Sequence, residues 1–252
     1  YDSGATWSES FLALSFEDYE NTNSILKADG SIRTENSASA IDPSLLQDKE
    51  TGRIFMLVDV FPYGCGAFAS QKGSGYTEIN GQNYLALRQK GEDEYNYTVR
   101  ENGAIFDKDG NQTEYSLNSK YEILENGIPL TVKQKKVSYW YNIPFSISNR
   151  NQVPMNIMYQ DALFQPLGTS YLYLIYSDDN GKSWSDPVNL NAQVKSDEYG
   201  FMGVCPGRGI QIESGDYAGR LIFPVYYLDS ESGVQEFAVI YSDDNGGSWR
   251  TG

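Results

Sequence analysis

The chain has 252 residues, with 34 acidic against 19 basic side chains, a net charge of −15 and no histidine. That length can bury a sizeable core as one large domain or two modest ones. The charge argues against a nucleic-acid partner, because phosphate binding needs clustered cations. The missing histidine removes Ser-His-Asp, Cys-His and histidine-metal chemistry.

With 20 Tyr, 11 Phe, 4 Trp and 24 Gly, the composition suits short twisted strands and tight turns, so an all-β fold is expected. No apolar run reaches the ~18 residues of a membrane-spanning helix. Cys65 and Cys205 lack zinc-type spacing and leave a disulfide and two isolated thiols both open.

In chain order, the first signal is a truncated repeat. Asp2-Ser3-Gly4-Ala5-Thr6-Trp7 matches the end of a pattern, S-x-D-x-G-x-[ST]-W, found in full at residues 177–184 and 242–249. This Asp-box reads as a hairpin turn. Its aspartate (Asp2, Asp179, Asp244) accepts hydrogen bonds from amides two or three residues on, its glycine (Gly4, Gly181, Gly246) supplies a positive φ, and its tryptophan (Trp7, Trp184, Trp249) plugs the turn. Catalytic or calcium-binding use of Asp178/Asp179 and Asp243/Asp244 is the competing reading. Repetition in one frame favours structure, since a working site is normally assembled once while repeats build a fold.

Residues 9–30 read as strand and polar loop. Residues 40–61 hold two apolar runs around the charged turn Lys49-Glu50-Thr51-Gly52-Arg53, which predicts a hairpin. From about Gly73 to Gln165 turn signals alternate with Tyr- and Asn-rich segments, and the reading is a β-rich insertion (73–165) between two propeller parts (1–72 and 166–252). Asp107, Asp109 and Asn111 begin like a calcium loop, but Gln112 and Asn118 stand where glycine and a bidentate glutamate are needed; a plain turn and no metal site is the expectation. Phe201 to Gly209 reads as a Gly-rich loop without the Lys-Ser/Thr ending of a phosphate loop. The run from Arg220 to Tyr227 reads as a strand, with Tyr226 and Tyr227 facing opposite sides.

The stretches Ala40 to Phe61, Gly203 to Tyr227 and the two full Tyr-Ser-Asp-Asp-x-Gly-x-Ser-Trp boxes resemble the secreted bacterial exo-sialidases of the large pneumococcal and clostridial type. The likeness extends to Tyr97-Thr98-Val99-Arg100-Glu101-Asn102-Gly103 in the insertion. It implies a six-bladed β-propeller, of which this chain would hold about three blades, and cleavage or transfer of terminal α-linked sialic acid without a cofactor. The implied machinery is a tyrosine nucleophile activated by a glutamate, an aspartate acid/base and three arginines on the sialate carboxylate. None of these maps onto residues 1–252, so the chain by itself is expected to be inactive. The alternative is a non-catalytic carbohydrate-binding propeller.

Position by position, the resemblance assigns Asp42 to a sugar hydroxyl, Ile41 to the pocket floor, Phe68 to the N-acetyl side, and Tyr226 and Gln235 to the glycerol and N-acetyl side. One residue is inserted between Tyr226 and Gln235 relative to the clostridial pattern. Ile41 and Phe68 read equally well as core residues, and Asp42 before Pro43 as a turn initiator. The implied partners are sialylated glycans and the implied location is secreted or cell-surface. Arg208 matches no clamp position and reads as a surface cation.

Overall fold

A computed structural model describes residues 5–6, 9–17, 19–20, 38–140, 143–229 and 232–252, with backbone alone for 19–20, 135–140 and 143–150. The truncated first box, with Asp2, Gly4 and Trp7, lies outside the described residues. The described structure is all-β, with one short helix at Asn191–Val194.

Two sheets carry the full boxes. The first runs Val188–Asn189, Tyr171–Ser177, Ile54–Phe61, Ser39–Gln47, Gly207–Arg208, and the second Tyr199–Val204, Leu221–Asp229, Gln235–Ser242, Arg250–Thr251, with Ile210–Gln211 also on Leu221–Asp229. Ile54–Phe61 is apolar on both sides because it is a central strand packed between neighbours. In Leu221–Asp229, by contrast, Leu221, Phe223 and Val225 are buried and the intervening side chains are not. Phe55, Leu57, Phe223, Val225 and Trp249 meet in one core between the sheets, each fully buried side chain contributing roughly 1.5–3 kcal/mol.

Residues 76–166 build a separate eight-stranded sheet, closed by Phe164–Pro166 on Gln82–Gln89. Thr131–Trp140 and Ile143–Pro154 form a long hairpin beside it. The buried amide of Asn191 ties this region to the first sheet: its Nδ2 donates to the carbonyls of Ser74 and Ser170, and its Oδ1 accepts from the amide of Leu172, all at 2.9 Å.

The structure alters one expectation. The predicted loop from Phe201 to Gly209 is a strand as far as Val204, because Gly203 leaves the room that its neighbours fill. A Cβ there would stand 2.1 Å from the ring of Phe201 and 2.8 Å from Oδ2 of Asp59. The all-β class is as expected, and among the described residues two sheets carry the full boxes, while the first repeat lies mostly outside the described residues.

Candidate functional site

The boxes are built as self-satisfied turns. Asp179 accepts from the amides of Lys182 and Ser183 at 2.9 Å and from the Ser183 hydroxyl at 2.6 Å, so its partners lie three and four residues on. Ser177 donates to Asp179 and accepts from the Gly181 amide. The second copy repeats this with Ser242, Asp244, Gly246 and Ser248.

The Ser183 hydroxyl and amide hold Asp179 well below the usual carboxylate range, and those of Ser248 pull Asp244 down to about 2. Trp249 plugs its turn, edge-on to Phe55 and tilted against Phe223. Trp184 is only half-buried and lines a cavity of about 330 Å³ with Phe16, Tyr159, Tyr173, Glu122 and Asp186. None of the five site residues proposed from the sequence lines that cavity. Asp107 is likewise committed to its own turn, accepting from the amides of Asp109 and Asn111.

A different arrangement surrounds Asp42. Ile41 pairs with Asp59 and Ser44 with Leu57, so Asp42 and Pro43 together oppose Val58 in a bulge. Pro43 lacks an amide hydrogen for the ladder, which accounts for the interruption. Asp42 takes φ 54°, a left-handed conformation that side chains other than glycine adopt uncommonly, aspartate and asparagine most often among them. Strain of this kind persists where surrounding structure over-determines it, and it concentrates at functional sites.

Asp59, on the neighbouring strand, pairs with Ile41. It is 0% exposed, its Oδ1 accepts from the Val204 amide at 2.9 Å, and its Oδ2 has no partner. Burial pushes its carboxyl up to about 8, against the pull of the Val204 hydrogen bond and with a further push from the charge of Asp42. Tyr226 is raised by burial and then by the charges of Asp59 and Asp42. Phe61 stacks on Phe201 with ring centres 6.0 Å apart, and Phe201 meets Tyr226 at 5.1 Å. Lys195 is buried nearby, with Nζ donating to Thr169, Ser170 and Gly200. Burial brings its ammonium down to about 7.

Of the five residues proposed from the sequence, Ile41 pairs with Asp59, Asp42 follows it in the bulge, and Tyr226 pairs with Gly203, the residue packed on Asp59. Tyr226 pairs with Phe237 and Leu228 with Gln235, which puts Gln235 on the Tyr226 face at the open end of the sheet. Gln235 is exposed and Phe237 is 86% exposed. Phe68 sits on a 3-10 turn, Ala67–Ala69, against Tyr199–Val204 and is 91% exposed. It is not a core residue, and Ile41, at 43%, is not one either. Tyr227 faces the core side and donates to Glu236 at 2.5 Å. Cys65 and Cys205 are free and half-buried. Asp59 escaped the sequence reading; its only signal was an acid inside the apolar run Ile54–Phe61.

The arrangement offers a half-buried carboxylate and phenol and an exposed amide beside apolar and aromatic side chains, a chemistry suited to sugar hydroxyls. Its charges are acidic, and among the described residues Arg53 and Arg220 are engaged by Asp178 and Asp243.

No family model matches the chain. It is 39% identical over 254 aligned residues to an anhydrosialidase of Macrobdella decora, covering 98% of this chain and 33% of that protein. Against sialidase B of Streptococcus pneumoniae it is 37% identical, covering 99% of this chain and 35% of the relative. The solved intramolecular trans-sialidase of Ruminococcus gnavus, in complex with oseltamivir carboxylate, superposes with a TM-score of 0.89 at 37% identity, over 99% of this chain and 51% of that one. The chain thus spans about a third of the length of the two sequence relatives. By these likenesses, which run through nearly all of its residues, the chain is a homologue of the sialidases.

Proposed function

We propose that the chain is part of a secreted or cell-surface sialidase that cleaves or transfers terminal α-linked sialic acid, and that it supplies one wall of the sugar pocket. The supporting observation is Asp42, held with left-handed backbone in the bulge that follows the Ile41–Asp59 pair. In this reading Asp42 accepts a hydrogen bond from a sugar hydroxyl, Ile41 and Phe68 give apolar contact, and Tyr226 and Gln235 face the polar substituents. The two box-bearing sheets belong to a six-bladed propeller, with the 73–165 segment inserted between its parts.

An anionic sugar approaching Asp42 needs cations, and the ammonium of Lys195 is committed to Thr169, Ser170 and Gly200. The carboxylate clamp, the nucleophile and the acid/base therefore lie outside these 252 residues, in the portion that the longer relatives add. The test is turnover of a fluorogenic sialoside by the 252-residue chain and by the chain extended to the length of its relatives. Activity only in the extended protein is the expected result. Turnover by the 252 residues alone overturns the partition, and none in either overturns the enzymatic reading in favour of sugar binding without catalysis.

A further inference from the structure

The cavity of about 330 Å³ beside Trp184 shares no residue with the sugar pocket around Asp42. It sits where three parts of the chain meet: residues 12–17, the inserted region at Lys120 and Glu122, and the first sheet with the turn after its box, at Tyr173 and Asp186. Its walls are fastened by bonds of their own. The Tyr159 hydroxyl accepts from the Glu17 amide at 3.0 Å while its ring meets Phe16 edge-on. Glu122 accepts from the Asn118 side chain, and the Ser119 hydroxyl donates to Asp186. Asn156 is committed to the Lys120 carbonyl and the Met158 amide.

Two donors on the lining residues are not committed. Tyr173 is 1% exposed and its hydroxyl has no partner, and the indole nitrogen of Trp184 has none either. The two boxes diverge at this point. Trp249 is 2% exposed and packed on Phe55 and Phe223, so its own unpartnered nitrogen is sealed in the core. Trp184, at the same place in its box, is half-buried against open volume. Copies that serve the fold alone should plug their turns alike.

The lining selects a chemical class. The volume lies at the small end of ligand pockets, enough for one sugar ring. Phe16, Tyr159, Tyr173 and Trp184 offer aromatic surface to the C–H faces of such a ring, and the two unpartnered donors call for acceptor atoms. Glu17, Glu122 and Asp186 outnumber Lys120, which disfavours an anion. A quaternary ammonium would suit the carboxylates and the rings but leave both donors unpaired. We propose that this cavity binds a neutral pyranose sugar, held by Tyr173 and Trp184 as donors and by Glu122 and Asp186 as acceptors of its hydroxyls. The site does not depend on the sialic-acid reading of the Asp42 pocket.

The test titrates galactose, glucose and N-acetylglucosamine by saturation-transfer NMR against the 252-residue chain and against the chain extended to the length of its relatives. At least one of the three should bind both proteins in the millimolar range. No binding overturns the site. Binding to the shorter chain that disappears in the extended one means that the added portion covers the cavity, and overturns it as well. Tetramethylammonium should fail to displace the sugar, and displacement overturns the sugar assignment in favour of a cation.

Tyr173→Phe removes one hydroxyl and keeps the ring. The urea midpoint of the free protein should stay or rise, because an unpartnered buried donor is lost, while sugar affinity should fall roughly fivefold. Trp184→Phe should weaken binding in the same direction, and Asp42→Asn should leave it unmoved. Native affinity in Tyr173→Phe, or a loss confined to Asp42→Asn, places the sugar elsewhere and overturns the site. A lowered urea midpoint in Tyr173→Phe shows that the hydroxyl is already partnered and removes the donor from which the site is argued.

Discussion

Arg53 grips Asp178 through two parallel hydrogen bonds, Nε to Oδ1 at 2.7 Å and Nη2 to Oδ2 at 2.8 Å, while its guanidinium lies 3.9 Å from the ring centre of Tyr176. The same device recurs with Arg220, Asp243 and Tyr241. Each arginine follows a turn glycine and precedes a central strand, so the first aspartate of each box fastens the turn to the neighbouring strand. Both carboxylates are more than half exposed, and solvent screens the pairs.

Arg53→Lys should accordingly lower the urea midpoint only slightly. Lysine keeps the charge and loses the planar fork and the stacking. The electrostatic part of the loss should shrink in high salt, and comparing urea midpoints at low and high ionic strength measures it.

Gly246→Ala should be far more damaging. Gly246 has φ 86°, and a Cβ there would stand 2.3 Å from the ring of Phe55 in the core. Combined backbone strain and overpacking should cost about 2–4 kcal/mol, read from chemical denaturation. A neutral result would mean that the box turn does not rest on Phe55.

Asp42→Gly separates stability from binding. Relief of the left-handed conformation should offset the extra freedom of glycine in the unfolded chain, leaving stability unchanged or raised by less than about 1 kcal/mol. Sialic-acid affinity should fall at least tenfold. A clear loss of stability would show that Asp42 serves the fold rather than a ligand.

Stability should depend on pH through Asp59. Below about pH 4 its carboxyl is protonated whether folded or unfolded and costs nothing. Between about 4 and 8 the unfolded chain releases that proton while the folded one keeps it, so stability falls as pH rises, by a few kcal/mol in all. Lys195 acts in the opposite sense at higher pH. Its lowered value means that the unfolded chain holds the extra proton from about 7 to 10.5, and stability recovers there. Urea unfolding of Asp59→Asn should lack the fall between pH 5 and 8, and a slope equal to that of the native chain would exclude Asp59 as its source.

What was legible in the sequence was local. The hairpin around Gly52, the strands before each box and the turn role of Asp179 and Asp244 follow from alternation and from side chains bonding to amides a few residues away. The Phe201–Val204 strand was misread because its glycine looks like loop chemistry until the space taken by Phe201 and Asp59 is seen. Asp42 was singled out by resemblance alone, since a backbone angle of 54° cannot be read from Asp-Pro.

The sequence by itself determined the all-β class, the repeated turns and their anchoring residues, because those interactions are completed within a few positions of the chain. Only the tertiary structure decided that Asp59, whose strand pairs with the one bearing the Asp42 bulge, meets Val204 beside the Gly203–Tyr226 pair. Val204 is 145 residues from Asp59, and the burial that makes Asp59 keep its proton is created when the two sheets close on it. No pattern along the chain encodes that, because desolvation and charge coupling depend on distance through space.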